Sequence, residues 1–159
     1  MRIGFGYDVH PFAEGRELWL GGIHIEHPNG LRGHSDADVL IHALCDALLG
    51  AANLRDIGFH FPDTSDEYKN IDSKRLLQET MRMLRGAGYE LGNMDATIVA
   101  EQPKLNPYIP EMQKTLAGVM NVPVDAISLK ATTTEKLGFT GREEGIAAYA
   151  IALLSNAIA

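Results

Sequence analysis

The 159-residue chain has one cysteine, Cys45, so it forms no internal disulfide and calls for no oxidising compartment. Basic residues are in deficit. Fourteen Lys and Arg stand against 21 Asp and Glu, a formal net charge of −7. Non-specific nucleic-acid binding needs a basic stripe, and this balance argues against it. It leaves room for a small anionic ligand, because a few placed cations override the global sign. No apolar run approaches the ~18 residues of a membrane-spanning helix. The opening MRIGFGYDVH lacks the apolar core and cleavage site of a signal peptide. A cytoplasmic protein with no nucleic-acid and no membrane partner is therefore expected. Repeats, linkers and low-complexity tracts are missing as well, so residues 1–159 read as a single domain. Histidine is absent from the second half: His10, His24, His27, His34, His42 and His60 all precede residue 61.

What is present has clear period. In residues 2–10, Ile3, Phe5, Tyr7 and Val9 alternate with Gly4, Gly6, Asp8 and His10, the pattern of a strand. Residues 17–27 read as a hairpin around Gly21-Gly22. A helix is expected over about 36–52, capped by Ser35 or Asp36. Residues 54–72 form a polar loop with no period, and a loop of that length in a compact domain is usually functional. Further helices are expected over 73–86, with Ser73 as cap, and from Pro107 to about Asn121. Strands are expected over 94–101 and 126–132. The last apolar segment, GIAAYAIALLS, suits either a helix or a buried strand. Mixed elements of this kind predict an α+β sandwich, helices on a sheet.

Two constellations carry chemistry. Asp8-x-His10 puts a carboxylate and an imidazole on one strand face. His42 sits mid-helix, with Asp38 and Asp46 one turn to either side. Such a stripe is costly to bury unless it is paired or metal-bound. Asp8, His10 and His42 can act as three ligands of a tetrahedral zinc with one open position, and Asp38 or Asp46 can fix the His42 tautomer. The alternative is a surface histidine among solvated aspartates. The second constellation binds anions. His34-Ser35 falls at the expected start of the first helix, where free amides and the dipole favour a phosphate, or where Ser35 is an ordinary cap. In ATTTEKLGFTGR, Thr132, Thr133 and Thr134 supply hydroxyls, Glu135 a carboxylate and Arg142 a bidentate cation. Hydroxyls beside a carboxylate suit a phosphate bridged to magnesium or manganese. Phe139 lies between two glycines in a sharp loop.

Taken together, GYDVHPF, GHSDADVLIHALCDALLGAANLRDIGFHFPDT and KATTTEKLGFTGREEGIA resemble the 2-C-methyl-D-erythritol 2,4-cyclodiphosphate synthase family of non-mevalonate isoprenoid biosynthesis. The resemblance runs nearly end to end. It implies a lyase that converts 4-diphosphocytidyl-2-C-methyl-D-erythritol 2-phosphate into the cyclic diphosphate with release of CMP. Asp8, His10 and His42 then match the zinc ligands, and Glu135 matches the residue associated with a second divalent metal, magnesium or manganese. His34 and Thr133 match the residues that stabilise the transition state. His34, Ser35, Thr132, Thr133, Thr134 and Glu135 match phosphate-contacting segments. Asp56, Ile57, Gly58, Phe61, Asp63 and Ser65 match the loop that holds the methylerythritol and ribose. Ala100, Pro103, Lys104, Leu105 and Asn106 match the cytosine pocket.

The resemblance further implies a homotrimer with active sites between subunits. Each protomer would carry a mixed four-stranded sheet with helices on one face, in a chorismate-mutase-like sandwich, and the last apolar segment would be a strand. Phe139 and Arg142 match positions near the threefold axis, where members can hold an isoprenoid diphosphate. Glu143 and Glu144 make that region acidic for an anion. A trimer that binds such a diphosphate without chemistry, and a phosphohydrolase using the open zinc position, are the competing readings.

Overall fold

In the computed structural model, which describes residues 1–157, the alternation at the N-terminus becomes a long strand, β1 (Arg2–Glu14). Its glycine face is the buried one. Helix α1 (Val39–Ala51) lies directly against Gly4 and Gly6. A Cβ on Gly4 would sit 2.0 Å from the Ala47 carbonyl oxygen, and one on Gly6 would sit 1.9 Å from that of Ala43. Only bare backbone allows this approach, so the two glycines set the depth of α1 on the sheet. Asp8 and His10 continue the same face, and α1 brings His42 over them.

The remaining elements follow in order: β2 (Leu18–Leu20), β3 (Ile23–Ile25), β4 (Asn29–Leu31), then, after α1, α2 (Ile57–His60), α3 (Ser73–Gly86), β5 (Tyr89–Val99), α4 (Ile109–Met120), β6 (Ile127–Thr132), α5 (Gly138–Gly141) and β7 (Gly145–Asn156). The main sheet has five strands in the order β4-β1-β7-β5-β6, rather than the four expected. β1 outruns the residue-10 boundary, and its far end pairs with the short β4, Phe12 opposite Leu31. Only β5 and β6 run parallel, and α4 makes the crossover between them. β2 and β3 form a separate hairpin.

The C-terminal alanine-rich segment is the central strand β7, buried between β1 and β5. Its small residues, Ala148, Ala150 and Ala152, face the helices and let them pack close. The 54–72 segment is not bare loop: it contains α2 and a single 3₁₀ turn at Asp66–Tyr68.

The helix start also differs from expectation. Asp38, not Ser35 or Asp36, is the N-cap of α1, and Asp72, not Ser73, caps α3. The Asp38 carboxylate is fully buried and accepts from Ile41 N, Gly21 N and Gly22 N, which ties the hairpin turn to the start of α1. Three amide donors offset the cost of burying it.

The helices cover one sheet face. The opposite face carries Ile3 and Phe5, 71% and 63% exposed, with Tyr7, Val9, Tyr149 and Ile151 beside them. No described element packs over that apolar strip. Among the described residues, no helix is long and apolar enough to cross a membrane.

Candidate active site

Asp8 Oδ2 lies 2.9 Å from His10 Nε2 and 3.0 Å from His42 Nδ1, and the two imidazole nitrogens are 3.1 Å apart. Each ring is fixed from behind. His10 Nδ1 is 2.9 Å from the Arg32 carbonyl oxygen. A carbonyl only accepts, so Nδ1 carries the proton and Nε2 presents its lone pair to the centre. His42 Nε2 is 3.0 Å from both Ser35 Oγ and Ser73 Oγ. The Ser73 hydroxyl donates to Asp36 Oδ1 and so accepts from His42, which leaves Nδ1 bare.

Two lone pairs and a carboxylate oxygen therefore converge on one point, an arrangement that repels itself unless a cation or shared proton lies among them. The three atoms form a near-equilateral triangle, close to the ~3.3 Å edge of a tetrahedron with zinc-length bonds. Asp8, His10 and His42 thus fit a metal ion. With a proton rather than a metal among them, burial opposes the Asp8 charge, but the hydrogen bonds and charges of the protonated His10 and His42 rings outweigh it and hold its pKa down at about 2. Burial likewise opposes protonation of His10, yet Asp8 raises its pKa.

The expected partners of His42 are corrected here. Asp38 is consumed by the helix start, and Asp46 accepts from Ile57 N at 2.8 Å, 11 residues away. Ser73 and Asp36 take the orienting role instead. The helical start at residue 39 likewise leaves His34-Ser35 upstream of the helix rather than on its first turn.

His34 Nε2 donates to the Ser65 carbonyl at 3.0 Å, and Asn70 N donates to the His34 carbonyl at 2.8 Å. These bonds hold the 61–72 segment beside the Asp8–His10–His42 cluster. Beneath it is a cavity of about 390 Å³ lined by His10, His34, Ser35, His42, Ile57, Gly58, Phe61 and Asp63, among others. Asp56 and Ser65 do not line it. Their side chains cap α2 and the 3₁₀ turn.

A second cavity, about 270 Å³, is lined by Ala100, Pro103, Lys104, Leu105, Asn106, Ala131, Thr132 and Thr133. The two segments expected to hold cytosine and phosphates meet there. Thr134 and Glu135 continue from its edge, and Thr133 Oγ1 donates to Glu135 Oε1 at 3.2 Å. Phe139 and Arg142 lie apart from both cavities. Arg142 pairs with Glu144 at 2.8 Å, so the acidity noted beside it takes up its guanidinium.

The cavities share no residue. Asp8 is opposite Ala148, Ala148 opposite Ile98, and Ile98 opposite Ala131. Three strand spacings, roughly 14 Å, therefore separate the metal triad from the Thr132–Glu135 segment within one protomer.

The model of the YgbB family matches residues 1–155. The chain belongs to the 2-C-methyl-D-erythritol 2,4-cyclodiphosphate synthase family. A relative of that name from Parabacteroides distasonis is 75% identical over 156 residues, covering 98% of this chain and 97% of the relative. One from Porphyromonas gingivalis is 69% identical over 157 residues, 99% and 97% of the two chains. Among solved structures, the bifunctional IspDF of Campylobacter jejuni superposes with a TM-score of 0.94 at 45% identity, over 98% of this chain and 42% of that one. A 2C-methyl-D-erythritol-2,4-cyclodiphosphate synthase in a CDP-bound form gives 0.89 at 38% identity, over 97% and 100%.

The remaining histidines play structural parts. His27 bonds within its own turn, His60 Nε2 donates to the Leu54 carbonyl, and the His24 ring packs at a tilt against Trp19. Cys45 offers no nucleophile, because burial pushes its thiol up to about 12. Reading the sequence missed Ser73, Asp36 and the Arg32 carbonyl. Ser73 read as a helix cap, and a main-chain carbonyl leaves no trace in residue type.

Proposed function

We propose that this chain is a 2-C-methyl-D-erythritol 2,4-cyclodiphosphate synthase, a phosphorus–oxygen lyase of the non-mevalonate isoprenoid route. Its substrate is 4-diphosphocytidyl-2-C-methyl-D-erythritol 2-phosphate. An oxygen of the 2-phosphate attacks the β-phosphorus. The bond from that phosphorus to the bridging oxygen breaks, and CMP leaves with the electron pair. The substrate brings its own nucleophile, which agrees with a site that offers none.

The observation that carries this reading is the pair of imidazole lone pairs and one carboxylate, oriented from behind and opening into a cavity beside His34. Asp8, His10 and His42 would hold zinc, which would polarise the β-phosphate. Glu135 would hold magnesium or manganese, which would neutralise phosphate charge as CMP leaves. Around these, His34 and Thr133 would donate hydrogen bonds to the phosphoryl oxygens as charge builds, in exchange for their bonds to the Ser65 carbonyl and the Glu135 carboxylate. Ser35, Thr132 and Thr134 position the phosphates. Ile57, Gly58, Phe61 and Asp63 wall the methylerythritol and shut out water, which favours cyclisation over hydrolysis. Lys104 and the backbone of 100–106 take the cytosine. Asp56 and Ser65, engaged as caps, act through the shape of that wall and contact the sugar only if those caps open.

Because the triad and the threonine segment are three strands apart, one protomer does not complete the site. A homotrimer closes it. The apolar strip of Ile3, Phe5, Tyr7, Val9, Tyr149 and Ile151 is the surface that buries in this assembly. Phe139 and Arg142 then approach the threefold axis. The Arg142–Glu144 pair weakens that axis as an isoprenoid-diphosphate site, so catalysis does not depend on it.

Phosphorus NMR of the cytidyl substrate with purified protein tests the reading. A cyclic diphosphate plus CMP is expected, and Asp8→Asn and His42→Ala are expected to lose both while remaining folded. A linear product would mean a phosphohydrolase. No CMP release at all would leave a binding protein.

A further inference from the structure

Glu101 joins the two walls of the second cavity. It follows Ala100, whose N–H donates to the Thr132 carbonyl at 3.0 Å as the last rung between the two segments. Beyond that rung the chains diverge, and the Glu101 side chain spans them. One atom, Oε1, accepts from Thr134 N and from Lys136 N, both at 3.1 Å. Between and beside those amides the backbone is left-handed: φ is 53° at Glu135 and 62° at Lys136. Neither residue is glycine, so two successive non-glycine residues are held in a sparsely populated region. Such a turn persists only where its surroundings over-determine it. Here the surroundings are one carboxylate oxygen, the Leu137 N–H bond to the Thr134 carbonyl at 2.9 Å, the Thr133–Glu135 bonds and the Thr134 hydroxyl contacts with Leu137 and Thr140.

We propose that Glu101 is a positioning residue: its Oε1 locks the 133–136 turn onto the 100–106 segment, so that Thr133 and Glu135 face the phosphates while Lys104 and its neighbours hold the cytosine. This rests on the synthase reading above. The role belongs to a hydrogen-bond acceptor and not to a charge, because a single oxygen receives both amides. Glutamine at this position keeps that oxygen, alanine removes it, and aspartate withdraws it by one methylene.

The experiment has two arms. The first is hydrogen exchange on the protein without substrate. In Glu101→Ala, the amides of Thr134 and Lys136 should lose protection by about tenfold or more, and Glu101→Gln should restore it. The second is steady-state turnover together with CDP binding. Glu101→Ala should lower kcat/KM by about 10–100-fold, the cost of a misplaced catalytic group, and should weaken CDP binding as well. Glu101→Gln should recover most of both. Wild-type exchange in Glu101→Ala overturns the proposal, and so does a Gln variant as impaired as the Ala variant, since charge would then be what matters. If Glu101→Ala does not fold, Glu101→Asp must show the same losses, and wild-type behaviour in that variant overturns it. The exchange arm does not depend on turnover. Failure of the synthase reading would leave it intact, whereas failure of the latch would show in exchange with wild-type turnover unharmed.

Discussion

His42 presents a lone pair from Nδ1 only while Nε2 keeps its proton, and Ser35 and Ser73 hold that proton in place. Ser73 is the more constrained of the two. It is fully buried, its N–H donates to Asp36 Oδ2, and its hydroxyl donates to Asp36 Oδ1. Asp36 thereby fixes the direction in which Ser73 can accept. Removing the hydroxyl leaves Ser35 as the sole partner and frees the ring to rotate. Ser73→Ala should therefore lower zinc affinity by about 10–100-fold, the usual cost of losing an outer partner of a ligating histidine. Competition with a chromophoric chelator measures it directly. Affinity equal to the parent's would show that Ser35 alone sets the tautomer. The same residues show what the sequence concealed. Asp38 looked like part of a stripe with His42 and Asp46, because the three are four residues apart. The backbone at Asp38 is extended, φ −65° and ψ 91°, so it stands before the helix and turns its carboxylate onto amides. Spacing predicts a shared face only where both residues are helical.

At the scale of elements, the α1–β1 contact sets the geometry of the Asp8–His10–His42 cluster. Gly4 and Gly6 let the helix touch the strand backbone, and that depth places His42 above Asp8 and His10. The methyl of Gly6→Ala would meet the Ala43 carbonyl, which belongs to helix backbone and has no free end to swing away. The helix must lift. We expect destabilisation of at least about 1–3 kcal/mol, with weakened zinc binding alongside. Gly50, on the same helix with open space around it, is the control: Gly50→Ala should gain about 0.5–1 kcal/mol from helix propensity. Urea denaturation of the metal-free proteins separates the two, and equal midpoints would refute the close-contact account. This part of the fold was legible from sequence. Alternation in 2–10 put Asp8, His10 and the glycines on one face, and the period of 36–52 supplied the helix. Less was legible where pairing partners decide. The extension of β1 to Glu14 and the three-residue β4 depend on each other, and neither has a period long enough to read. The alanine-rich β7 was ambiguous for the same reason: its small residues are chosen by the helices packed on them, not by strand propensity.

The whole molecule poses the question of where one active site ends. Within one protomer the metal triad and the Thr132–Glu135 segment are about three strand spacings apart, on a sheet whose register fixes the separation. No movement of side chains closes such a gap, and the strands cannot slide without turning core residues outward. In the homotrimer proposed above, the apolar strip on the uncovered face would supply the driving force to bring another copy alongside. Burial of Phe5, Tyr7 and Tyr149, with the Phe5 and Tyr7 rings each packed at a tilt against Tyr149, would give that face an aromatic centre. If the site is shared, two inactive variants must rescue each other. Asp8→Asn spoils only the triad, and Glu135→Gln spoils only the opposite half. Unfolded together and refolded as mixed trimers in equal amounts, they should regain about one quarter of parental turnover, because about one site in four then pairs two intact halves. Each variant refolded alone should stay inactive, and mixing without refolding should restore nothing while the trimers stay closed. No recovery in the refolded mixture, with mixed trimers verified by mass, would place both halves of each site in a single chain. That outcome would require a conformational change large enough to break the register between β1 and β6.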